Sequence, residues 1–125
     1  MKLCPCGSAQ AEIQCCLPYL KGEKTAPTPE ALMRSRYTAF AKRKFAYLSK
    51  TMQGPIAQQF DLTAARRDAP FIQWLKLEVL GSREEENQGW VEFKAHFRFH
   101  GRVSVLHEKS QFVKTAGIWF YVGQE

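Results

Sequence analysis

The sequence predicts an α+β fold in which helices come first and an antiparallel sheet follows. Two observations predict this order. Apolar residues recur at helical spacing after Thr28, and from Trp74 onward apolar and polar residues alternate with a period of two. Helices followed by a series of hairpin-connected strands are typical of α+β proteins. With 125 residues and 45% hydrophobic content, the chain is large enough for one such domain and a small appendage.

All four cysteines lie in the first sixteen residues, as a CxC pair followed by an adjacent CC pair: Cys4, Cys6, Cys15 and Cys16. Four thiolates on a short loop provide the tetrahedral sulfur ligation that zinc prefers, at Zn–S distances of about 2.3 Å. Disulfides or free thiols are the competing interpretation, although a disulfide within either pair would be strained. Because four protein thiols leave no open position on the metal, we expect one structural zinc ion rather than a catalytic one.

A polar, proline-bearing segment at residues 21–28 separates the cysteines from the first predicted helix. Thr28 is its expected N-cap and Pro29 its first residue. Lys44 interrupts the apolar stripe of this helix, which predicts either an outward-turned side chain or a kink. A second helix is expected from about Asp61, as its N-cap, to Asp68. The apolar stripe of the first helix comprises Met33, Tyr37, Phe40, Ala41, Tyr47 and Leu48.

Four strands are predicted after the helices. Three turn signals separate them: a segment from Gly81 to Gly89, then His100-Gly101, then Ala116-Gly117. One face of the second strand is expected to be buried and the other exposed. The apolar residues of that strand are Val91, Phe93, Ala95, Phe97 and Phe99.

The formal net charge of +6 resides entirely in the first fifty residues, which hold nine Lys or Arg and three Glu residues. Residues 51–125 hold nine residues of each sign. Zinc and four thiolates would lower the net charge to about +4. Such a basic surface can dock on an acidic protein patch or on ribosomal RNA. Because the cysteine-bearing segment has no arginine–aromatic stacking pattern, nucleic acid is the less favoured partner.

The sequence predicts neither a signal peptide nor a membrane span. No apolar segment follows Met1 and Lys2, and none approaches the length of about 18 residues that a spanning helix needs. Cysteines that must stay reduced to bind a metal are typical of cytoplasmic proteins. We therefore expect a cytoplasmic location.

Six residues are candidates for a polar pocket in the core. Glu108 and Ser110 lie on the predicted inner face of the third strand, and a buried carboxylate needs a partner. We expect Arg34 or Arg36 to provide it as a charge-assisted ion pair. The favoured interpretation is a core ion pair that fixes helix to sheet. The alternative is a polar floor for a small anionic or amide ligand, with aromatic walls. The six candidates are Arg34, Arg36, Tyr37, Glu108, Ser110 and Trp119.

The sequence shows no catalytic motif. It has no nucleophile–histidine–carboxylate arrangement, no paired catalytic carboxylates and no glycine-rich phosphate loop. His107 and Glu108 are neighbours, but adjacent side chains on a strand point to opposite faces, so they do not form a pair. These observations favour a binding protein over an enzyme, although a pocket assembled from distant residues would leave no motif in the sequence.

Several segments resemble known families. CPCGS at residues 4–8, with Cys15-Cys16, resembles the SEC-C motif, the zinc module at the carboxyl end of the translocation ATPase SecA. Four further segments make nearly the whole chain resemble the uncharacterised bacterial YchJ family: PYLKG at 18–22, TPEALMRSRY at 28–37, LHEKSQF at 106–112 and WFYV at 119–122. The resemblance implies a SEC-C-like zinc knuckle over residues 1–22. Over residues 28–125 it implies a nuclear transport factor 2-like (NTF2-like) domain, related to cystatin-like folds, in which helices cover a curved antiparallel sheet to form a cone.

The resemblance implies a fold and a metal but no reaction. Since the SEC-C motif of SecA recruits translation and export partners, it implies an adaptor whose knuckle contacts a protein or ribosomal partner. The alternative is a small-molecule-binding or enzymatic cone, in which the knuckle is only a structural anchor. Sheets of this fold often pair through their exposed faces, so the sequence also leaves a homodimer open.

Overall fold

The computed structural model describes residues 2–125 and confirms the α+β prediction. Helices pack on one face of a four-stranded antiparallel sheet whose strands lie side by side in chain order. The knuckle contains a 3₁₀ turn, Glu12–Gln14, and the short helix α1, Leu17–Leu20. The remaining helices are α2 (Pro29–Lys42), α3 (Phe45–Lys50), α4 (Pro55–Gln59) and α5 (Leu62–Asp68). A 3₁₀ turn, Ala69–Phe71, leads into β1 (Ile72–Glu85), β2 (Gln88–Phe99), β3 (Arg102–Thr115) and β4 (Ile118–Gln124).

Both predicted helix starts are confirmed. The Thr28 hydroxyl accepts a hydrogen bond from the backbone N–H of Ala31 at 3.0 Å, and the Asp61 carboxylate accepts one from Ala64 at 2.9 Å. Helix α2 ends at Lys42 because Arg43 adopts the left-handed conformation, with a φ of 61°. The chain changes direction there before α3, as the predicted kink requires, and Lys44 is also exposed. None of the helices within residues 2–125 combines the length and the apolar character that crossing a bilayer requires.

The strand connections agree with the sequence at two hairpins. His100-Gly101 and Ala116-Gly117 link their strands as two-residue turns, and all four residues have positive φ, as such turns require. The predicted turn from Gly81 to Gly89 was wrong in extent, because β1 continues to Glu85 and only Glu86 and Asn87 form the loop. The exposed end of this hairpin has the polar composition of a loop, although its backbone is paired.

The core lies between α2, α3 and the inner face of the sheet. Its fully buried side chains include Leu32, Leu48, Val91 and Phe112. Burial on β2 follows the prediction through Ala95 but not at Phe99, which is 38% exposed. Phe99 lies at the hairpin end of the strand, where the chain leaves the core.

Candidate functional site

The four cysteines converge in one cluster. Their sulfur atoms all lie within 4.8 Å of one another, and all four thiols are free. Sγ of Cys15 lies 3.6 Å from that of Cys6 and 3.9 Å from that of Cys16. Tetrahedral ligation with Zn–S bonds of about 2.3 Å places sulfurs about 3.8 Å apart, whereas a disulfide requires about 2.05 Å. The donor set therefore fits a tetrahedral metal.

Backbone hydrogen bonds bring the two cysteine pairs together. The N–H of Cys4 donates to the carbonyl of Gln10 and that of Glu12 to the carbonyl of Lys2, both at 2.9 Å. Gly7 follows the first pair with a φ of 82°, a conformation that glycine adopts without strain. The following 3₁₀ turn then delivers Cys15 and Cys16 to the same side of the loop.

The electrostatics of the thiols also favour a cation. Hydrogen bonding to Cys16 is the main cause that lowers the pKa of Cys6, to about 4. The same contact, followed by burial, raises the pKa of Cys16, and burial raises the pKa of Cys15. The surroundings therefore favour the thiolate form of Cys6 and oppose that of Cys15 and Cys16. A divalent cation removes this opposition because its charge stabilises all the thiolates.

The knuckle packs closely on the rest of the protein. Arg34 of α2 donates a hydrogen bond to the backbone carbonyl of Cys6 at 2.7 Å, and Cys4 Sγ lies 3.6 Å from the Thr38 hydroxyl. The carboxylate of Glu12, which is buried, contacts the ammonium group of Lys42 near the end of the same helix. These contacts are spread along α2 and hold the knuckle in one orientation.

The structure brings together four of the six predicted pocket residues. Arg36, Tyr37, Glu108 and Ser110 line a cavity of about 150 Å³ between α2 and the inner face of the sheet. The remaining lining is mainly apolar and includes Trp74, which the sequence analysis did not single out.

The predicted ion pair between Glu108 and an arginine was wrong. Glu108 Oε2 instead accepts hydrogen bonds from the Ser110 hydroxyl, at 2.5 Å, and from the Tyr121 hydroxyl, at 3.1 Å. Arg36 donates to the carbonyl of Leu48, at 2.8 Å, and its guanidinium carbon lies 4.7 Å from the centre of the Tyr121 ring. Tyr121 thus stands between the two charges, and each charge is satisfied by its own partners.

The pKa values reflect this arrangement. Burial lowers the pKa of Arg36 from 12.5 to about 10, so the guanidinium remains charged at neutral pH. Burial, reinforced by the negative charge of Glu108, raises the pKa of Tyr121 to about 12. At neutral pH the Tyr121 hydroxyl therefore keeps the proton that it donates to Glu108.

The other two predicted pocket residues lie elsewhere. Arg34 joins the helix to the knuckle, and Trp119 is buried beside Gly89, outside the residues that line the cavity. The sequence-based prediction did not include Tyr121. Tyr121 follows Trp119 by two residues on one strand, and this spacing indicates that both side chains lie on the same face. The sequence placed an aromatic wall on the correct strand but at the wrong residue.

Residues 28–124 match the family described as "YchJ, middle NTF2-like domain". The chain is 40% identical to a SEC-C motif containing protein from Rhodopseudomonas palustris, known from its solution structure. That likeness covers 99% of this chain and 98% of that one, with a TM-score of 0.91. A SEC-C motif containing protein from Psychrobacter arcticus, known from a crystal structure, is 29% identical. That match covers 98% of this chain and 81% of the other, with a TM-score of 0.84.

These relatives suggest that the metal of the cysteine cluster is zinc. The helices that pack on the curved antiparallel sheet form the NTF2-like fold. The family match covers most of the chain, and both solved relatives share its whole architecture. The chain therefore belongs to the YchJ family, with a SEC-C-type cysteine cluster before its NTF2-like domain.

Proposed function

We propose that this protein is an adaptor, in which a knuckle held by one structural zinc ion contacts a protein partner. The observation that carries the proposal is the exposure of two apolar side chains on the knuckle. Ile13 is 68% exposed, the highest value for a large hydrophobic residue in residues 2–125, and Leu3 is 60% exposed. Single exposed apolar residues are common, but two on a segment of about twenty residues indicate a contact surface.

The part of the knuckle that carries Leu3 and Ile13 is held in place by contacts within the protein. Leu3 pairs with Ala11 through the backbone, and Ile13 lies in the turn that follows directly. The bond from Arg34 to Cys6 anchors this unit on α2. A surface that is already ordered loses less conformational entropy on binding, and burying each of these side chains contributes about 1.5–3 kcal/mol.

Charge complementarity defines the partner. The first fifty residues carry the whole net charge of +6, and Lys2, next to Leu3, is exposed. A protein surface with an apolar hollow bordered by carboxylates matches this combination. We propose a ribosomal protein or an export factor as this partner, because the SEC-C motif of SecA recruits such partners. In this proposal residues 1–22 bind the partner, and residues 28–125 form the domain that carries the knuckle. The proposed location is the reducing bacterial cytoplasm.

The test is site-specific photo-crosslinking in cells. A photo-reactive amino acid replaces Ile13 in one variant and Val103, an equally apolar residue on the sheet that is 60% exposed, in another. We expect a defined protein adduct from position 13 that Leu3→Ser abolishes, with zinc content unchanged. Absence of an adduct at position 13, or the same adduct from position 103, would refute the adaptor.

A specific observation favours a second candidate function, binding of a small molecule in the cone. Both hydrogen bonds that the Glu108 carboxylate accepts within residues 2–125 end on Oε2, and in this candidate function Oε1 accepts a bond from the ligand. Because no arginine pairs with Glu108, an amide or another hydrogen-bond donor suits this floor better than an anion. The cavity is smaller than the pockets of about 300–1,000 Å³ that hold drug-sized ligands, so its occupant would be small.

Native mass spectrometry of the purified chain tests this second candidate. A co-purified small molecule that is lost in Glu108→Gln, with zinc retained, supports it. The same spectrum from wild type and variant, with zinc as the sole non-covalent adduct, counts against it.

A further inference from the structure

A second, larger cleft lies outside the knuckle and shares Phe40 and Trp74 with the lining of the core cavity. It has a volume of about 570 Å³ and opens between the end of α2, α5 and the β2–β3 hairpin. We call this region the hairpin end. Four aromatic side chains contribute to the lining, and two arginines stand among them: Phe40, Phe45, Phe71, Trp74, Arg43 and Arg98.

Positive charge gathers at the hairpin end from distant parts of the sequence. Six exposed cations belong to the three segments that border the cleft: Arg43, Lys44, Arg66, Arg67, Arg98 and Arg102. Within residues 2–125, Arg67 alone of these has a carboxylate within 4.0 Å, that of Asp68 at 3.3 Å. Arg98 donates to the neutral amide oxygen of Gln73 at 2.8 Å, which orients the guanidinium without neutralising it.

Aromatic rings lie among these cations. The Phe71 ring stacks on His100 with a centroid distance of 4.7 Å and an interplanar angle of 23°. The Phe99 ring meets the His100 ring edge-on, with a centroid distance of 4.2 Å. Phe71 is 51% exposed and Phe99 is 38% exposed, so part of this aromatic group is open to the solvent. At the tip of the hairpin, RFHGR at residues 98–102, two arginines flank Phe99, His100 and Gly101.

We propose that the hairpin end binds single-stranded nucleic acid. Unpaired bases stack on the rings of Phe71 and its neighbours, while Arg98 and Arg102 contact phosphates. Aromatic platforms within a basic groove are the recurring solution for single strands, because every base offers a flat face and every nucleotide a negative charge. A duplex keeps its bases stacked on one another and cannot use the rings. An acidic protein or a lipid surface would be drawn by the charge but has no group that requires stacking.

This inference goes beyond the adaptor function, because it uses neither the knuckle nor the polar residues Glu108 and Ser110 of the core cavity. The sequence alone argued against nucleic acid, since the knuckle lacks an arginine–aromatic pattern. The fold assembles that pattern elsewhere, by placing α5 and the RFHGR hairpin beside Arg43.

The test uses fluorescence anisotropy with labelled oligo(U) and oligo(dT) of about twelve nucleotides and the intact zinc-loaded chain. We expect Phe71→Ala to raise the Kd by about five- to a hundred-fold and Phe71→Trp to restore binding. Arg98→Gln should weaken binding and reduce the slope of log K against log salt by about 0.7, the value for one phosphate contact on a single strand. Arg83→Gln is the matched control, because Arg83 lies at the opposite end of the sheet and its replacement removes the same charge as Arg98→Gln does.

Several outcomes would overturn the proposal. One is no binding at about 100 µM protein in low salt, the upper range for non-specific contacts. Another is equal loss of affinity in Arg83→Gln and Arg98→Gln, which would indicate diffuse charge attraction. A third is that binding of heparin or of phosphatidylserine vesicles, which lack bases, depends on Phe71 as strongly as binding of the oligonucleotide does. The double variant Leu3→Ser/Ile13→Ser should bind the oligonucleotide normally, so failure of the adaptor proposal would be seen separately.

Discussion

Arg34 Nη1 lies 2.7 Å from the backbone carbonyl oxygen of Cys6, which is 28 residues earlier in the chain. The Nε atom of the same guanidinium lies 3.0 Å from the carboxylate of Glu30. One side chain therefore connects the cysteine cluster to α2 and is itself oriented within that helix. The knuckle and the NTF2-like domain share this contact, although a polar linker separates them in sequence.

Removal of this contact should loosen the knuckle. We expect Arg34→Ala to lower the free energy of unfolding by about 1.5–3 kcal/mol, the range for hydrogen bonds to charged groups. Glu30→Gln is the control, because it removes a half-exposed ion pair worth less than about 1 kcal/mol and keeps the bond to Cys6. Urea unfolding of the zinc-loaded proteins measures both values. Equal effects of the two variants would show that the bond to Cys6 adds nothing.

The metal should depend on the buried cysteines. We expect Cys16→Ser to lose zinc and to unfold at a lower temperature, because three sulfurs and a hydroxyl do not replace a closed set of four thiolates. Ser8→Ala is the matched control, since the Ser8 hydroxyl lies 3.1 Å from Cys15 Sγ without completing the cluster. Elemental analysis of the purified proteins measures zinc per chain. A stoichiometric metal in Cys16→Ser would contradict the assignment.

Gly89 is a packing position. A methyl group there would lie 2.3 Å from Cγ of Pro29 and 3.3 Å from the Trp119 ring. We expect Gly89→Ala to destabilise the protein by about 1–3 kcal/mol, as overpacked core positions do. Gly81→Ala, in the neighbouring strand, meets no atom within 4 Å and should be neutral or slightly stabilising. Thermal unfolding compares the pair, and the same loss in both would attribute the effect to backbone conformation rather than to Pro29.

Tyr121 should make the fold sensitive to alkali. Burial raises its pKa from 10 to about 12, so the folded state holds the phenolic proton more tightly than the unfolded chain. This contribution is complete below pH 10 and is lost as the pH rises through about 12. Over that window we expect the stability of the wild type to fall further than that of Tyr121→Phe, which has no proton to lose. Parallel pH dependences of the two unfolding free energies would contradict the prediction.

Features that depend on near neighbours were predictable from the sequence. The cap at Thr28 and the turn at His100-Gly101 each follow from a few adjacent residues, because their hydrogen bonds and backbone angles are local. The cysteine cluster belongs to the same class, since its four sulfurs lie within one short loop. These are the features that the structure confirms.

Predictions about which distant side chains meet were less successful. The sequence correctly placed Glu108 and Ser110 on the inner face, but it paired Glu108 with an arginine rather than with Tyr121. Strand alternation identifies the face on which a side chain lies, but it does not show which residue of the next strand is opposite. The pairing of β3 with β4 also contains a register shift between Gln111 and Phe112, and single-residue shifts leave little trace in composition.

By itself the sequence determined the α+β order, the cysteine cluster, the helix starts and two of the three hairpins, because short-range geometry and hydrophobic periodicity dictate these. The tertiary structure alone decided three long-range arrangements: Arg34 on the knuckle, Tyr121 between Arg36 and Glu108, and the meeting of Arg43, α5 and the β2–β3 hairpin at one cleft. In each case the partners are far apart in the chain, and their meeting depends on how helices and strands pack rather than on any local preference.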